Sequence, residues 1–442
     1  MDARVLAISP EAPGTHMSGP AIRYWQIAQA LAAEHAVTLA VPGAPALETS
    51  HMKIAGYDRR AGAELRGYAA EADVLLCTGL TLYRYPFLRD QPQPMVVDLY
   101  DPFLLENLEI HSALPLTEQT AHHRMNISVL SEQLQRGDFF ICASEAQRDF
   151  WLGMLAANGR LNPLTFGADR TLRRLIDVAP FGVPETPPVQ QQRRLKGKHP
   201  GIRETDQVIY WGGGLWEWFD PLTAIRAMAA VTAHHPNTKL FFAGVRHPNS
   251  DVPPMRMAAA AQALSDDLGL TGRSVFFNDW VPYAERGDYL LEANLGISLH
   301  FEHIETRFSY RTRLLDYVWA GLPMVITRGD ALGVLAEAHG LARSVPPGDV
   351  PAVAQVILHW LDQPDGRAVV APRAQALAAD LRWSKVIAPL AAFCRAPRRA
   401  ADQAPVSRPR LNPTLLAKGW HSLRARGLRG LWRDVRLYLN LR

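Results

Sequence analysis

The feature that most constrains this chain is an alternation of short apolar runs with longer segments of helical spacing, repeated in two successive series. In the first series, residues 4–9 have the pattern of a buried strand, and Ile22, Trp25, Ala28 and Leu31 then recur on one helical face. Further strands are predicted at 36–41, 73–77, 95–99 and 138–143, and Ser144 is predicted to cap the helix that follows the last of them. Strands that alternate with helices predict an α/β domain with a parallel sheet.

The second series starts with a predicted strand at 207–211, followed by three consecutive glycines. Asp220 can cap the next helix and Pro221 suits its first turn. Further strands are predicted at 239–243, 274–277, 295–300 and 324–327, with helices at about 349–362 and 383–393. We therefore expect two Rossmann-like, doubly wound domains that face each other across a cleft.

The two series are separated by residues rich in proline and polar side chains. Such composition is typical of a domain boundary at the surface. The predicted divisions are a first domain at 1–180, a linker at 181–206, a second domain at 207–382, a closing helix at 383–395 that packs back towards the first domain, and a basic amphipathic tail at 396–442.

Composition is consistent with a globular protein of this size. The chain has 442 residues, of which 48% are apolar, enough for two or three domains with their own cores. Its three cysteines are far apart and form no CxxC pair, so neither a disulfide framework nor a zinc site is predicted. The opening residues lack the pattern of a signal peptide, and no apolar run approaches eighteen residues, so we expect a cytoplasmic protein.

Charge is concentrated at the end of the chain. Residues 395–442 hold eleven Arg and one Lys against two Asp, a net charge of +10, which leaves −6 on the rest of a chain whose total is +4. Leu428, Leu431, Trp432, Val435 and Leu439 form one apolar stripe at helical spacing. A basic amphipathic helix predicts binding to an anionic membrane surface on the inner face. The alternative is that the stripe docks on the acidic body; no nucleic-acid-binding signature is present.

Acidic, hydroxyl and guanidinium side chains cluster just after the fourth predicted strand of the second series. They are Glu305, Ser309, Tyr310, Arg311 and Arg313. Ser309 is predicted to cap the helix that follows. Residues at this place lie where open α/β sheets bind ligands, and free helix N–H groups favour phosphate there. The alternative is that Arg311 and Arg313 are ordinary helix-surface residues.

Other candidates lie at predicted strand ends. Gly213 and Gly214 allow a phosphate or sugar to approach the backbone closely, although such a turn also serves as a simple connection. Arg246 could supply a cation. His16 and Gly19 are candidates for an acceptor or diphosphate loop in the first domain.

Residues 5–393 resemble the GT-B nucleotide-sugar glycosyltransferases, specifically the large retaining glycosyltransferase family 4. The segments that carry the resemblance are 18–23, 180–184, 240–244 and 313–325. The resemblance implies transfer of a sugar from a nucleoside diphosphate sugar to an acceptor hydroxyl, with retention of configuration and without a metal or cofactor. It further implies a glycan or lipid-linked acceptor and a role in cell-surface polysaccharide or glycolipid synthesis.

The resemblance also assigns individual residues. Asp316 stands where the family has a Glu that binds the nucleotide ribose, and Glu305 lies three residues before the position of the family's other Glu. Backbone at Trp280 and Val281 is expected to contact the nucleobase. Asp101 follows a strand of the first domain, where family members often carry a catalytic residue, although an Asp before Pro is also common in turns.

The sequence departs from the family at one important point. The first loop of the second domain lacks the Arg and Lys that usually hold the diphosphate, so Arg246, Arg311 or Arg313 must supply this charge. Two rival functions stay open on this evidence. One is a nucleotide-sugar epimerase of the same fold, and the other is a catalytically silent subunit; slow hydrolysis of a sugar nucleotide would distinguish an active enzyme from the latter.

Overall fold

The computed structural model describes residues 3–249, 252–363 and 365–403. The apolar stripe predicted in the tail lies outside the described residues. Met1–Ala400 forms one compact unit, which contains both α/β halves.

The first half is built on a parallel sheet of seven strands. They are β1 (Arg4–Ile8), β2 (Ala36–Pro42), β3 (Lys53–Tyr57), β4 (Val74–Thr78), β5 (Met95–Asp98), β6 (Phe139–Cys142) and β7 (Ile176–Val178). Their order is β3-β2-β1-β4-β5-β6-β7. Strands β3 and β7 were not predicted, because neither forms a continuous apolar run.

Seven helices accompany this sheet. They are α1 (Gly19–Leu31), α2 (Glu64–Glu71), α3 (Thr81–Arg84), α4 (Phe103–Ile110), α5 (Leu116–Arg136), α6 (Glu145–Ala157) and α7 (Pro163–Ala168). The predicted cap of α6 is confirmed: the Ser144 hydroxyl accepts a hydrogen bond of 3.1 Å from the backbone N–H of Gln147. This bond satisfies one of the free N–H groups at the helix start.

The second half has a parallel sheet of six strands. They are β8 (Gln207–Trp211), β9 (Thr238–Phe242), β10 (Val275–Phe277), β11 (Leu295–Ser298), β12 (Met324–Thr327) and β13 (Ala342–Val345), in the order β10-β9-β8-β11-β12-β13. Strand β13, at the edge of this sheet, was not predicted, because polar residues interrupt its apolar pattern.

The helices of the second half begin with the predicted α8, in which Asp220 accepts from the Thr223 N–H at 3.0 Å and Pro221 occupies the first turn. They are α8 (Pro221–His234), α9 (Arg256–Asp267), α10 (Arg286–Glu292), α11 (Ile304–Phe308), α12 (Arg313–Trp319), α13 (Ala331–Ala338), α14 (Val350–Leu361) and α15 (Gly366–Asp380). Short 3-10 turns occupy Pro86–Asp90 and Tyr283–Glu285.

The chain then returns to the first half. The predicted closing helix is two helices, α16 (Trp383–Val386) and α17 (Ala388–Arg395). The ring of Phe393 stacks on that of Phe139 with centroids 4.9 Å apart, which ties α17 to the first sheet. The first residues of the predicted tail belong to the folded body, because Arg399 pairs with the buried Asp138 at 3.0 Å.

The predicted linker is mostly exposed but is anchored to the body at intervals. Val183, Leu195 and Ile202 are buried. The backbone N–H of Lys196 donates to the Glu292 carboxylate at 2.7 Å. Apolar residues spaced within a polar stretch therefore hold this segment against the second half. No helix in the described part of the chain combines the length and apolar character needed to cross a membrane.

Candidate active site

The carboxyl ends of both sheets face one cleft of about 730 Å³. Ligands of open α/β sheets bind at this edge, where backbone groups and loop side chains are exposed. Segments after β1, β4, β5 and β7 line it from the first half, and segments after β8, β9, β10 and β11 line it from the second. The cleft is therefore shared between the two halves, as the sequence predicts.

A glycine turn forms the floor of the cleft in the second half. Gly213 has a φ of 70°, a left-handed conformation that favours glycine, and an added Cβ there would meet no atom within 4 Å. The N–H of Gly212 donates to the Tyr317 hydroxyl at 2.9 Å, which fixes the turn against α12. The backbone at Gly213 is consequently open to a ligand, whereas Gly214 is flanked by Trp216 and Trp280.

Arg313 is a buried cation beside this turn. Its side chain donates to the Gly214 carbonyl at 2.9 Å and lies 3.9 Å from the centroid of the Phe219 ring. Its Nη1 has no hydrogen-bond partner, and none of the described carboxylates forms an ion pair with it. Burial lowers the pKa of Arg313 to about 10. A buried cation with an unused donor is costly unless an anion binds to it.

Arg311 differs from Arg313 although it is only two residues away. Both of its terminal nitrogens bind the Glu305 carboxylate, at 3.0 and 2.5 Å, and both side chains are almost fully buried. The alternative that Arg311 and Arg313 are ordinary surface residues is wrong, since their exposed fractions are 6% and 9%. Arg313 is therefore the better candidate for an anionic ligand, and Glu305 is held in place by its neighbour.

Asp316 lines the cleft as predicted, but it already has a partner. Arg286 approaches its carboxylate at 3.3 Å, and the Arg286 guanidinium lies 3.8 Å from the Tyr283 ring and 4.6 Å from that of Trp319. Burial raises the pKa of Asp316, and the charge of Arg286 opposes that rise. Sequence analysis missed Arg286, because its element contributes no motif and only the fold brings it to α12.

Two carboxyl groups meet on the first-half side of the cleft. Asp101 follows β5, and Glu106 lies in the first turn of α4. Both line the cleft, and their carboxyl groups are close enough to influence each other's titration. Burial raises the pKa of Asp101 to about 6, and burial and the charge of Asp101 raise that of Glu106 well above its ordinary value. The two acids therefore form an acidic pair on this wall, and Glu106 was not among the residues predicted from the sequence.

Asp98 lies behind this pair at the end of β5. Its carboxylate binds the guanidinium of Arg23 at 2.6 and 2.9 Å, and both side chains are fully enclosed. Arg23 also donates to the Ala179 carbonyl at 2.9 Å, and Asp98 accepts from the N–H of Tyr100 at 3.2 Å. The network joins α1, β5 and the end of β7 and so positions the loop that carries Asp101.

The remaining candidates of the second half are dispersed. Trp280 and Val281 line the cleft, and the indole N–H of Trp280 donates to the Met17 carbonyl of the first half at 3.2 Å.

Ser309 does not cap a helix as predicted: α12 begins at Arg313, and the Ser309 hydroxyl donates to the Thr306 carbonyl at 2.9 Å. Residues 309–312, which were predicted to start a longer helix, form the loop between α11 and α12 instead.

Two further candidates of the second half have different surroundings. Tyr310 lines the cleft, and burial raises its pKa. Arg246 is exposed, pairs with Asp279 at 3.6 Å and is not among the residues that line the cleft. It lies near the start of the loop after β9, where both its backbone N–H and its side chain bind Asp279.

In the first half, Gly19 starts α1 and lines the cleft. His16 instead lines a neighbouring cavity of about 680 Å³ together with Arg59 and Arg60. Glu11 and Ser18 border both spaces, and their side chains are hydrogen-bonded to each other. Within the described ranges, no group of three or more His, Cys, Asp or Glu side chains is arranged to hold a metal ion.

Solved structures of other proteins share this architecture. Sucrose-phosphate synthase from Thermosynechococcus elongatus is 15% identical, with 89% of this chain and 98% of that chain covered and a TM-score of 0.64. Anabaena HepE, solved with UDP-glucose, is 16% identical, with 89% and 99% covered and a TM-score of 0.61. The chain has the GT-B fold. This confirms the prediction of two Rossmann-like domains that face a cleft.

WaaG, a glycosyltransferase involved in lipopolysaccharide biosynthesis, shares the GT-B fold at 16% identity, with 88% of this chain and 98% of that chain covered and a TM-score of 0.58. No protein-family model matches the sequence, and a search of curated proteins gives no significant match. Similarity at this level of identity establishes the GT-B fold, and the chemistry is argued from the site.

Proposed function

We propose that this protein is a glycosyltransferase that moves a sugar from a nucleoside diphosphate sugar to an acceptor hydroxyl. The observation that carries the proposal is the unpaired, buried Arg313 beside the open glycine turn of a GT-B cleft. A leaving diphosphate develops negative charge, and a preorganised cation with free backbone N–H groups stabilises such charge. The complex of HepE with UDP-glucose supports a sugar nucleotide as the donor class.

The donor is placed by matching its parts to the cleft. Arg313 and the turn at Gly213 bind the diphosphate, and Asp316 accepts from the ribose hydroxyls. The backbone at Trp280 and Val281 contacts the nucleobase. The sugar then lies between the two halves, where Trp216 and Trp218 stack with ring centroids 5.4 Å apart and form one wall. The reaction needs no metal or cofactor, and the resemblance predicts that it retains the anomeric configuration.

Calorimetric titration with UDP, GDP, ADP and their glucose conjugates tests this function. We expect one nucleobase to be preferred, with one binding site per chain. The bound sugar nucleotide should then be hydrolysed slowly without an acceptor, and NMR of a transferred product should show the retained configuration. Binding of none of these compounds would overturn the proposal. An epimerised sugar nucleotide with no transfer would favour the epimerase, and binding without any turnover would favour the silent subunit.

We further propose a peripheral location on an anionic inner membrane surface, through the basic tail. The support is its sequence: an apolar stripe with interfacial Trp432 between arginines. This placement would bring the enzyme to a glycolipid or lipid-linked acceptor in cell-surface glycan synthesis.

We expect the tail to bind the protein measurably to vesicles. The full chain should sediment with anionic vesicles, whereas a chain that ends at Gln403 should stay in solution. Replacing Arg429 and Arg433 with glutamine should weaken binding by about thirtyfold, because each Arg near the lipid contributes about 1 kcal/mol. Neutral vesicles serve as the control. Equal sedimentation of the full and shortened chains would assign the tail a role within the protein instead.

A further inference from the structure

The two walls of the cleft carry opposite electrostatic character. The second-half wall presents Arg313, which has no carboxylate partner among the described residues, beside the ion pairs Arg286–Asp316 and Arg311–Glu305. The first-half wall presents Asp101 and Glu106. The cationic wall suits the phosphates of the donor. The acidic wall is then left for the acceptor.

The two acids of the first-half wall are positioned by secondary structure. β5 ends immediately before the loop that holds Asp101, and α4 turns Glu106 back onto it. Burial raises the pKa of both acids, that of Asp101 to about 6, so the pair keeps negative charge at neutral pH. The carboxyl oxygens that face the cleft can accept hydrogen bonds from a ligand.

The charged groups around the pair do not neutralise it. From the second half, Glu305 faces it with its charge matched by Arg311. From below, Asp98 faces it with its charge matched by Arg23. Both guanidinium groups are committed to their carboxylates by two hydrogen bonds each. No described cation on this wall is therefore left for an anionic group of the acceptor.

We propose that the Asp101–Glu106 pair binds the acceptor through hydroxyl groups next to the one that reacts, and that the acceptor end is an uncharged or amino-substituted sugar. This inference rests on the proposed glycosyl transfer and names its acceptor class. An ionised carboxylate accepts strong hydrogen bonds from sugar hydroxyls or an ammonium group. A phosphate or carboxylate at the same place would meet like charge, which strongly disfavours binding. A bare lipid phosphate is thus a poor acceptor.

The competing explanation is that the two acids only hold α4 in place. It predicts that their removal changes stability and leaves the choice of acceptor untouched. The binding role predicts changes in acceptor selectivity and in its pH dependence, with unchanged affinity for the donor nucleotide. These readouts separate the two explanations.

The test uses the full chain saturated with the sugar nucleotide that it binds. Methyl glucoside, methyl galactoside and methyl mannoside serve as neutral acceptors, the 2-amino sugars as cationic ones, and the corresponding 6-phosphates as anionic ones. Release of nucleoside diphosphate and saturation-transfer NMR report turnover and binding. We expect neutral or amino acceptors to be preferred over 6-phosphates by at least about tenfold at neutral pH. Preference for the phosphates, or no binding of any neutral or amino glycoside, would overturn the inference.

Variants then assign the preference to the pair. Asp101→Asn and Glu106→Ala should each lower kcat/KM for the neutral acceptor by about tenfold or more and reduce the discrimination against phosphate. Glu106→Gln keeps a donor towards Asp101 and should lose much less than Glu106→Ala. Glu109→Ala, on the same helix but outside the cleft lining, is the matched control. Unchanged selectivity in the first two variants would leave the pair a structural role.

The pH dependence of acceptor affinity is an independent test of the pair. The Asp101 carboxylate is present above its pKa of about 6 and is lost as the pH falls through that value. Acceptor affinity should therefore fall below about pH 6, and Asp101→Asn should remove this limb. Calorimetry of nucleotide binding should stay unchanged across these variants. If the wild-type chain bound no sugar nucleotide, the proposed function would fail first, which distinguishes the two failures.

Discussion

Replacing Arg313 with alanine is expected to weaken binding of the nucleoside diphosphate by at least about a hundredfold. A hydrogen bond to a charged group contributes about 1.5–3 kcal/mol, and a guanidinium can give two to a diphosphate. Arg313 is buried and has an unused Nη1, so little of its donor capacity is committed to the protein. Isothermal calorimetry with the preferred nucleotide measures the loss directly.

Comparison variants make this result specific. Arg307→Ala removes an exposed cation of α11 and should leave binding within about twofold. Arg313→Lys keeps the charge but loses the planar guanidinium, which can donate two parallel hydrogen bonds. An intermediate loss of nucleotide affinity is therefore expected. Asp316→Ala should weaken binding by about tenfold through the ribose. An unchanged dissociation constant in Arg313→Ala would show that the diphosphate is held elsewhere, and the assignment of the cleft wall would have to be abandoned.

The largest expected effect on stability comes from Asp98. Asp98→Ala leaves the Arg23 guanidinium buried without its counter-ion, and breaking a buried pair in this way costs about 3–5 kcal/mol. The two side chains are 0% and 1% exposed, so water cannot replace the lost partner. Urea denaturation followed by circular dichroism would measure the change in the free energy of unfolding.

The chain contains a matched control for this experiment. Asp73 pairs with Arg4 at 2.8 Å at the other end of the same sheet, but these side chains are 42% and 58% exposed. Asp73→Ala should cost no more than about 1 kcal/mol, because solvent screens exposed pairs. Similar losses in both variants would mean that burial does not govern the strength of the Asp98 pair. A loss below about 1 kcal/mol for Asp98→Ala would contradict the prediction outright.

Most of the architecture follows from local sequence patterns. Apolar runs located ten of the thirteen strands of the described residues to within about two residues. The caps Ser144 and Asp220 fixed two helix starts, because a cap depends on side chains and N–H groups only three residues apart. The glycine turn was likewise visible, since Gly213 needs a conformation that few other residues adopt. The errors fell on short strands and on the loop at Ser309, where local signals are weakest.

The site itself depended on contacts between distant segments. The sequence placed Arg311 and Arg313 side by side and could not separate them, whereas the fold joins the first to Glu305 and leaves the second unpaired beside Gly214. It likewise brings Arg286 to Asp316 and encloses Asp101 with Glu106.

Local periodicity thus determined the two sheets, their helices and the edge at which the cleft lies. Only the tertiary structure decided which charges are neutralised and which remain for a ligand. The reason is that the energy of a charge depends on its burial and on partners within a few ångströms, and both are set by chain segments that are far apart in sequence.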